Sequence, residues 1–216
     1  MPTQDFENNL RKKNVELEKD ENGKPFLTEE YIKAVCQQNN QYETPYLNDT
    51  LYLHFKGFQK IECLEKYTHL KSIWLECNGL SKIEGLENQT KLRMLMLQQN
   101  TIKVIENVSH LTKLVKLNLA NNFIKKIENL KGLDNLTTLD LSNNIIPDTA
   151  SCHELLELPS LTSLDLKNNV IEDGENIVPF FSRLKSVSAL YLKGNPGTRH
   201  VSMYRKNLTA HIPTLI

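Results

Sequence analysis

The chain repeats itself every 22 residues, and that period restricts its fold more than any other property of its 216 amino acids. Residues 72–83, SIWLECNGLSKI, lie without a gap over 94–105, MLMLQQNTIKVI, and over 116–127, KLNLANNFIKKI. Asn78, Asn100, Asn122 and Asn144 hold the register, and Asn169 and Asn195 extend it at steps of 25 and 26. Lys56 occupies the same position one period upstream, which gives seven units, the first of them atypical. A fixed period of this size marks a solenoid, in which a unit too small to bury its own apolar face is covered by its neighbours.

Each unit follows LxxLxLxxNxL and then stays apolar at every third residue, as in Leu92, Leu95, Leu97, Asn100, Ile102, Ile105, Val108 and Leu111. The LxL step places two leucines on one face of a short strand, because side chains alternate along extended backbone. The later three-residue step suits a tight, partly 3-10 return that carries the chain back one layer on. The asparagine is polar where the chain turns inward, so its amide must serve backbone groups that would otherwise be buried unpaired. Lys56 replaces it in the first coil, where no earlier coil needs tying. The expected fold is an α/β leucine-rich-repeat solenoid with a concave parallel sheet, short 3-10 or helical convex returns and an N-terminal capping helix.

The expected organisation has three parts. Residues 1–25 are charged, lack apolar periodicity and carry Asn-Gly and Lys-Pro punctuation, which predicts a disordered or extended segment. Residues 26–47 form a capping helix and linker, with Thr28 as N-cap ahead of Glu29, Glu30, Tyr31, Ile32, Ala34 and Val35. Residues 48–216 form the seven-repeat domain, its C-terminal cap read as short. Two longer returns, TASCHELLELPSL and EDGENIVPFFSRLK, have apolar spacing that predicts helices, the first capped by Asp148 or Thr149.

Several function classes fall away at this stage. Lys plus Arg equal Asp plus Glu, 26 against 26, so no net positive field draws the chain to nucleic acid. No apolar run is long enough for a membrane span, and the charged N-terminus does not read as a signal peptide, so a reducing aqueous compartment is expected. Cys36, Cys63, Cys77 and Cys152 match neither a disulfide framework nor a paired zinc-ligand spacing and are read as free thiols. His153-Glu154-Leu155-Leu156-Glu157 lacks the second histidine of a zinc-protease helix. Phosphate-cradling glycine loops and nucleophile elbows are missing, so the chain is read as non-enzymatic, without metal or cofactor.

What remains is the concave face. Its central column reads Tyr52, Trp74, Met96, Asn118, Asp140, Asp165 and Tyr191. The flanking columns add Met94 on one side and His54, Glu76 and Gln98 on the other. The first three coils therefore gather Tyr52, His54, Trp74, Glu76, Met94, Met96 and Gln98, including the single tryptophan, and later coils carry small, polar or charged groups. Trp and Tyr are enriched at interface hot spots, which predicts a protein-binding patch. The alternative is that the linker, with Tyr42, Pro45 and Tyr46, folds over it. From Phe180 onward there are six basic residues, Arg183, Lys185, Lys193, Arg199, Arg205 and Lys206, and no acidic one. That end could meet an acidic surface or be ordinary solvated charge.

The Ile-Glu-x-Leu returns, Ile61-Glu62-Cys63-Leu64, Ile83-Glu84-Gly85-Leu86 and Ile127-Glu128-Asn129-Leu130, resemble the 22-residue repeat class typified by a protein phosphatase regulator. Residues 46–100 more specifically resemble the leucine-rich-repeat axonemal dynein assembly factors, through Lys56, Gly57, Trp74, Glu76 and Cys77, which a generic repeat does not demand. Gly194-Asn195-Pro196 and Tyr204-Arg205 resemble the closing motif of such domains. This resemblance implies a cytoplasmic factor that helps assemble dynein arms for cilia or flagella, with axonemal dynein chains, chaperones or other assembly factors as partners. It leaves two alternatives: a resident of the axoneme that touches tubulin or a dynein head, and a phosphatase regulatory subunit.

Overall fold

Burial in the computed structural model, which describes residues 16–212 and 214–215, follows the repeat position by position. Leu92, Leu95, Leu97, Ile102, Ile105, Val108 and Leu111 are all fully enclosed, and their equivalents in neighbouring coils join them in one continuous core. Seven short parallel strands form a single sheet in sequence order: β1 (Thr50–Tyr52), β2 (Ser72–Trp74), β3 (Met94–Met96), β4 (Lys116–Asn118), β5 (Thr138–Asp140), β6 (Ser163–Asp165) and β7 (Ala189–Tyr191). The register is the repeat itself: Leu51 faces Ile73, Ile73 faces Leu95 and Leu95 faces Leu117. The fold is an α/β leucine-rich-repeat solenoid.

The asparagines tie each coil to the one before it. Asn100 Nδ2 donates to the carbonyls of Leu75 (3.1 Å) and Leu97 (3.0 Å), and its Oδ1 accepts from the Leu80 amide (3.1 Å). Asn122, Asn144, Asn169 and Asn195 repeat the pattern. Asn78 closes the first step by accepting from the Lys56 and Phe58 amides. Position 56 itself has no earlier coil to tie, and lysine stands there.

The three-residue step of the returns corresponds to successive i to i+3 hydrogen bonds, such as Gln89 N to Leu86 O followed by Leu92 N to Gln89 O. The Ile-Glu-x-Leu motif also has a backbone cause. Its third residue position is left-handed in the first four coils: Cys63 (φ 60°), Gly85 (φ 69°), Asn107 (φ 56°) and Asn129 (φ 61°). At Gly85 a Cβ would collide with the Ile61 carbonyl oxygen, so only glycine fits there. Asn107 and Asn129 use the same position to donate to the Ile83 and Ile105 carbonyls, a second set of ties between coils.

Irregular returns appear late. Ala150–Glu157 is a 3-10 helix, not the helix of regular pitch expected from its spacing. Asp148 accepts from the Ser151 amide at its start (2.7 Å), while Thr149 turns away to the Asp173 carboxylate. The next return holds an α-helix at Gly174–Phe181, and a further helix covers the C-terminal end at Tyr204–His211.

At the other end, helix α1 (Glu29–Gln38) lies over the first coil. Thr28 Oγ1 accepts from the Tyr31 amide, and Tyr31, Ile32, Val35 and Cys36 enter the core. Tyr31 meets Phe58 edge to face, Cys63 Sγ donates to the Leu27 carbonyl, and Lys66 pairs with Glu29. Ahead of α1, residues 16–25 run as an extended pair bridged at Lys19 and Pro25, with Asp20 accepting from the Asn22 and Lys24 amides. The remainder of the segment expected to be disordered or extended, residues 1–15, lies outside the described residues.

Candidate functional site

The outward side chains of the sheet divide into two stretches. In coils one to three the strands and the turns after them bring four rings together. Tyr52 stacks on Trp74 with centroids 6.2 Å apart and planes at 29°. His54 meets Tyr52 edge to face at 6.2 Å, and Phe55 meets His54 edge to face at 5.5 Å. The linker does not close over them. Tyr42 and Tyr46 are exposed, Tyr46 packs on His69, and Gln41 and Asn48 fasten the linker by hydrogen bonds to Thr50 and Tyr42. The rings remain open to solvent, with Tyr52 36 % exposed.

Phe55 was not singled out in the sequence. It is 68 % exposed and holds a left-handed backbone (φ 56°), a conformation costly for a bulky residue. The same position is left-handed in the following coils at Cys77, Gln99, Asn121, Asn143, Asn168 and Gly194. The available signal was the row of Asn and Gly at that position from coil four onward, which marks a turn that a phenylalanine enters only at a cost.

Two of the residues expected to be exposed are not. Met96 is 5 % exposed, because the register sets it between Trp74 and Asn118 on strands about 4.8 Å apart. Glu76 is 9 % exposed, buried between neighbouring coils. His54 Nδ1 stands 4.0 Å from Glu76 Oε1, too far for a hydrogen bond. His54 Nδ1, Glu76 Oε2 and Gln98 Oε1 are all buried and meet no hydrogen-bond partner among the described residues. Met94 is half-buried at the opposite edge of β3. The structure thus brings Tyr52, His54 and Trp74 together with Phe55, sets Glu76 and Gln98 in one row beside them, and removes Met96 from the surface.

In coils four to six the central outward polar groups are satisfied within the strand. Asn118, Asp140 and Asp165 each accept the backbone amide two residues on, at 3.0, 3.0 and 2.9 Å. Lys167 pairs with Asp165 (2.9 Å) and lies 5.2 Å from the Tyr191 ring centre, and the carboxylate holds its ammonium above the ordinary lysine value. A groove of ≈ 350 Å³ sits farther on, between β7 and the last helix, walled by Leu190, Leu192, Leu208 and Leu215. The basic residues of this end, Arg183, Lys185, Lys193, Arg199, Arg205 and Lys206, are exposed but spread over several faces.

None of the four thiols is activated. Burial is the first cause that pushes Cys36, Cys63, Cys77 and Cys152 above the ordinary thiol value. Glu154 accepts the Leu130 amide (2.9 Å) and so serves the coil before it. Among the described residues no cluster of His, Cys, Asp and Glu is arranged to hold a metal ion. No helix among them is long and apolar enough to cross a membrane.

Comparison with known proteins agrees with this geometry. The family model of leucine-rich repeats in two copies matches residues 90–132 and 112–153. The chain is 53 % identical over 58 residues to dynein axonemal assembly factor 1 of Peromyscus polionotus, a match covering 27 % of this chain and 9 % of that protein. It is 55 % identical over 51 residues to the human protein of that name, covering 24 % and 7 %, and 56 % identical over 50 residues to the homologue of Drosophila pseudoobscura pseudoobscura, covering 23 % and 3 %. The chain therefore spans less than a tenth of the length of these relatives. In fold it is similar to an internalin of Listeria monocytogenes (TM-score 0.66, 24 % identity, 86 % of this chain and 49 % of that one). A leucine-rich-repeat protein of Leptospira interrogans is similar too (TM-score 0.63, 24 % identity, 85 % and 44 %).

Proposed function

We propose that the chain is a non-catalytic protein-binding scaffold in the cytoplasmic preassembly of axonemal dynein arms, serving the motility of cilia or flagella. The high local identity to dynein axonemal assembly factor 1 supports the process. The observation that carries the site is the open ring cluster of Tyr52, His54, Phe55 and Trp74, flanked by Met94, Glu76 and Gln98. Seven strands at ~4.8 Å spacing present a face roughly 30 Å wide, enough for a helix or a domain edge. Stacked Tyr and Trp supply contact area at low entropic cost, and a partner that covers them gains the stabilisation of apolar burial. Dynein chains, chaperones and other assembly factors are the partner classes.

Replacing Trp74 tests this. Trp74 lies outside the buried core cluster, so Trp74→Ala is expected to melt with the parent protein. It should capture partners from extracts of ciliated cells at least tenfold less well, about 1.4 kcal/mol. Undiminished capture would refute the assignment. The exposed basic residues near the C-terminus support a second reading, residence in the axoneme against tubulin or a dynein head. Recovery mainly in detergent-washed axonemes would favour residence, and a soluble pool would favour assembly work.

A further inference from the structure

We infer that Glu76 is the receptor for a cationic side chain of the docked partner, an arginine by preference; this rests on coils one to three being the docking face. A carboxylate buried without a donor is destabilising, because the water it gives up is not replaced. Glu76 is in that position at one of its two oxygens: among the described residues Oε2 meets neither solvent nor a donor, and His54 Nδ1 stands 4.0 Å from Oε1. The carboxylates of the other half show the usual remedy. Asp140 and Asp165 accept backbone amides, and Asp165 also holds Lys167.

The surroundings of Glu76 match one chemistry. One coil on in the same column, Gln98 offers Oε1 as a second buried acceptor without a donor. Two residues before Glu76 stands Trp74, stacked on Tyr52. Acceptors in a row next to an aromatic stack suit a planar, donor-only cation: the guanidinium fork gives parallel hydrogen bonds to a carboxylate while its face lies on a ring. A lysine ammonium provides charge without the plane.

Access runs past His54. Its side chain is 38 % exposed, that of Glu76 is 12 % exposed, and His54 Nδ1 has no hydrogen bond to lose when the ring turns. His54 thus acts as a cover over the carboxylate, kept in place by edge contacts to Tyr52 and Phe55.

The single tryptophan reports on this site directly. The full chain would be titrated with the acetylated, amidated tripeptide Gly-Arg-Gly and with its citrulline and lysine counterparts, following Trp74 fluorescence. A saturable change with the arginine peptide is expected, at least tenfold weaker with citrulline. Glu76→Gln should lose it without a fall in melting temperature, and Asp165→Asn should keep it. An equal response to citrulline, retention in Glu76→Gln, or no saturable response overturns the inference; an equal response to lysine overturns the preference for arginine. Partner capture separates the two levels. Loss in Trp74→Ala with full retention in Glu76→Gln leaves the docking face standing and removes the cation receptor. Retention in both removes the docking face itself.

Discussion

Coils one to three and coils four to seven are built on the same buried leucines and differ in what they turn toward solvent. The later coils place Asn121, Asn143, Asn168 and Gly194 in the left-handed turn, residues that tolerate it, and close each outward carboxylate with a backbone amide. The early coils put Phe55, Cys77 and Gln99 in the same turn and leave Glu76 and Gln98 without donors. Along the strands and the turns that directly follow them, the bulky left-handed residues and the unmet polar groups thus fall in the same three coils as the open rings. Local cost concentrated in one region of an otherwise regular stack points to selection for something other than stability.

The largest expected effect tests the shared part of the comparison. Leu95→Ala beneath the rings and Leu139→Ala beneath the polar half should each cost about 2–5 kcal/mol in denaturant unfolding, since both side chains are enclosed. A much smaller loss at Leu95 would show that the early coils also pack loosely, and the contrast would then lie in the core. Next comes Asn100→Ala, which orphans the Leu75 and Leu97 carbonyls and the Leu80 amide. A loss of roughly 1–3 kcal/mol in total is expected, because water enters to meet part of what is orphaned.

The turn position gives a reciprocal pair. Gln99→Asn should raise stability by up to about 1 kcal/mol and Asn143→Gln should lower it by a similar amount. Equal signs in the two melting curves would break the assignment of strain to the early half. The smallest effects concern the carboxylates. Glu76→Gln should leave the midpoint unchanged or slightly higher, and Asp165→Asn should lower it slightly, because only the second removes satisfied bonds.

Where chemistry repeats, the sequence is easy to read. The 22-residue period places the first five strands, its stretched steps of 25 and 26 place the last two, and the step of three foreshadows the turn-like returns, because all follow from which side chains must face inward. What stayed hidden depends on contacts between coils. Nothing at Met96 or Glu76 marks them as buried, since the covering atoms belong to residues 22 positions away. Phe55 escaped notice because a left-handed turn is announced by Asn or Gly, and the first three coils use neither. The spacing in Ala150–Glu157 fits a helix, but the tighter 3-10 winding formed.

Helix α1 carries a final consequence. Coil one has a neighbouring coil on one side only, and its free side is held by α1 through Tyr31 on Phe58, Leu27 to Cys63 and Glu29 to Lys66. In a nearest-neighbour stack the end unit frays before the middle does. Tyr52, His54 and Phe55 all belong to that end unit, so moderate warming that lifts α1 would scatter three of the four rings while the interior strands stay paired. The helix is then a thermal fuse: the ring cluster comes apart before the stack melts.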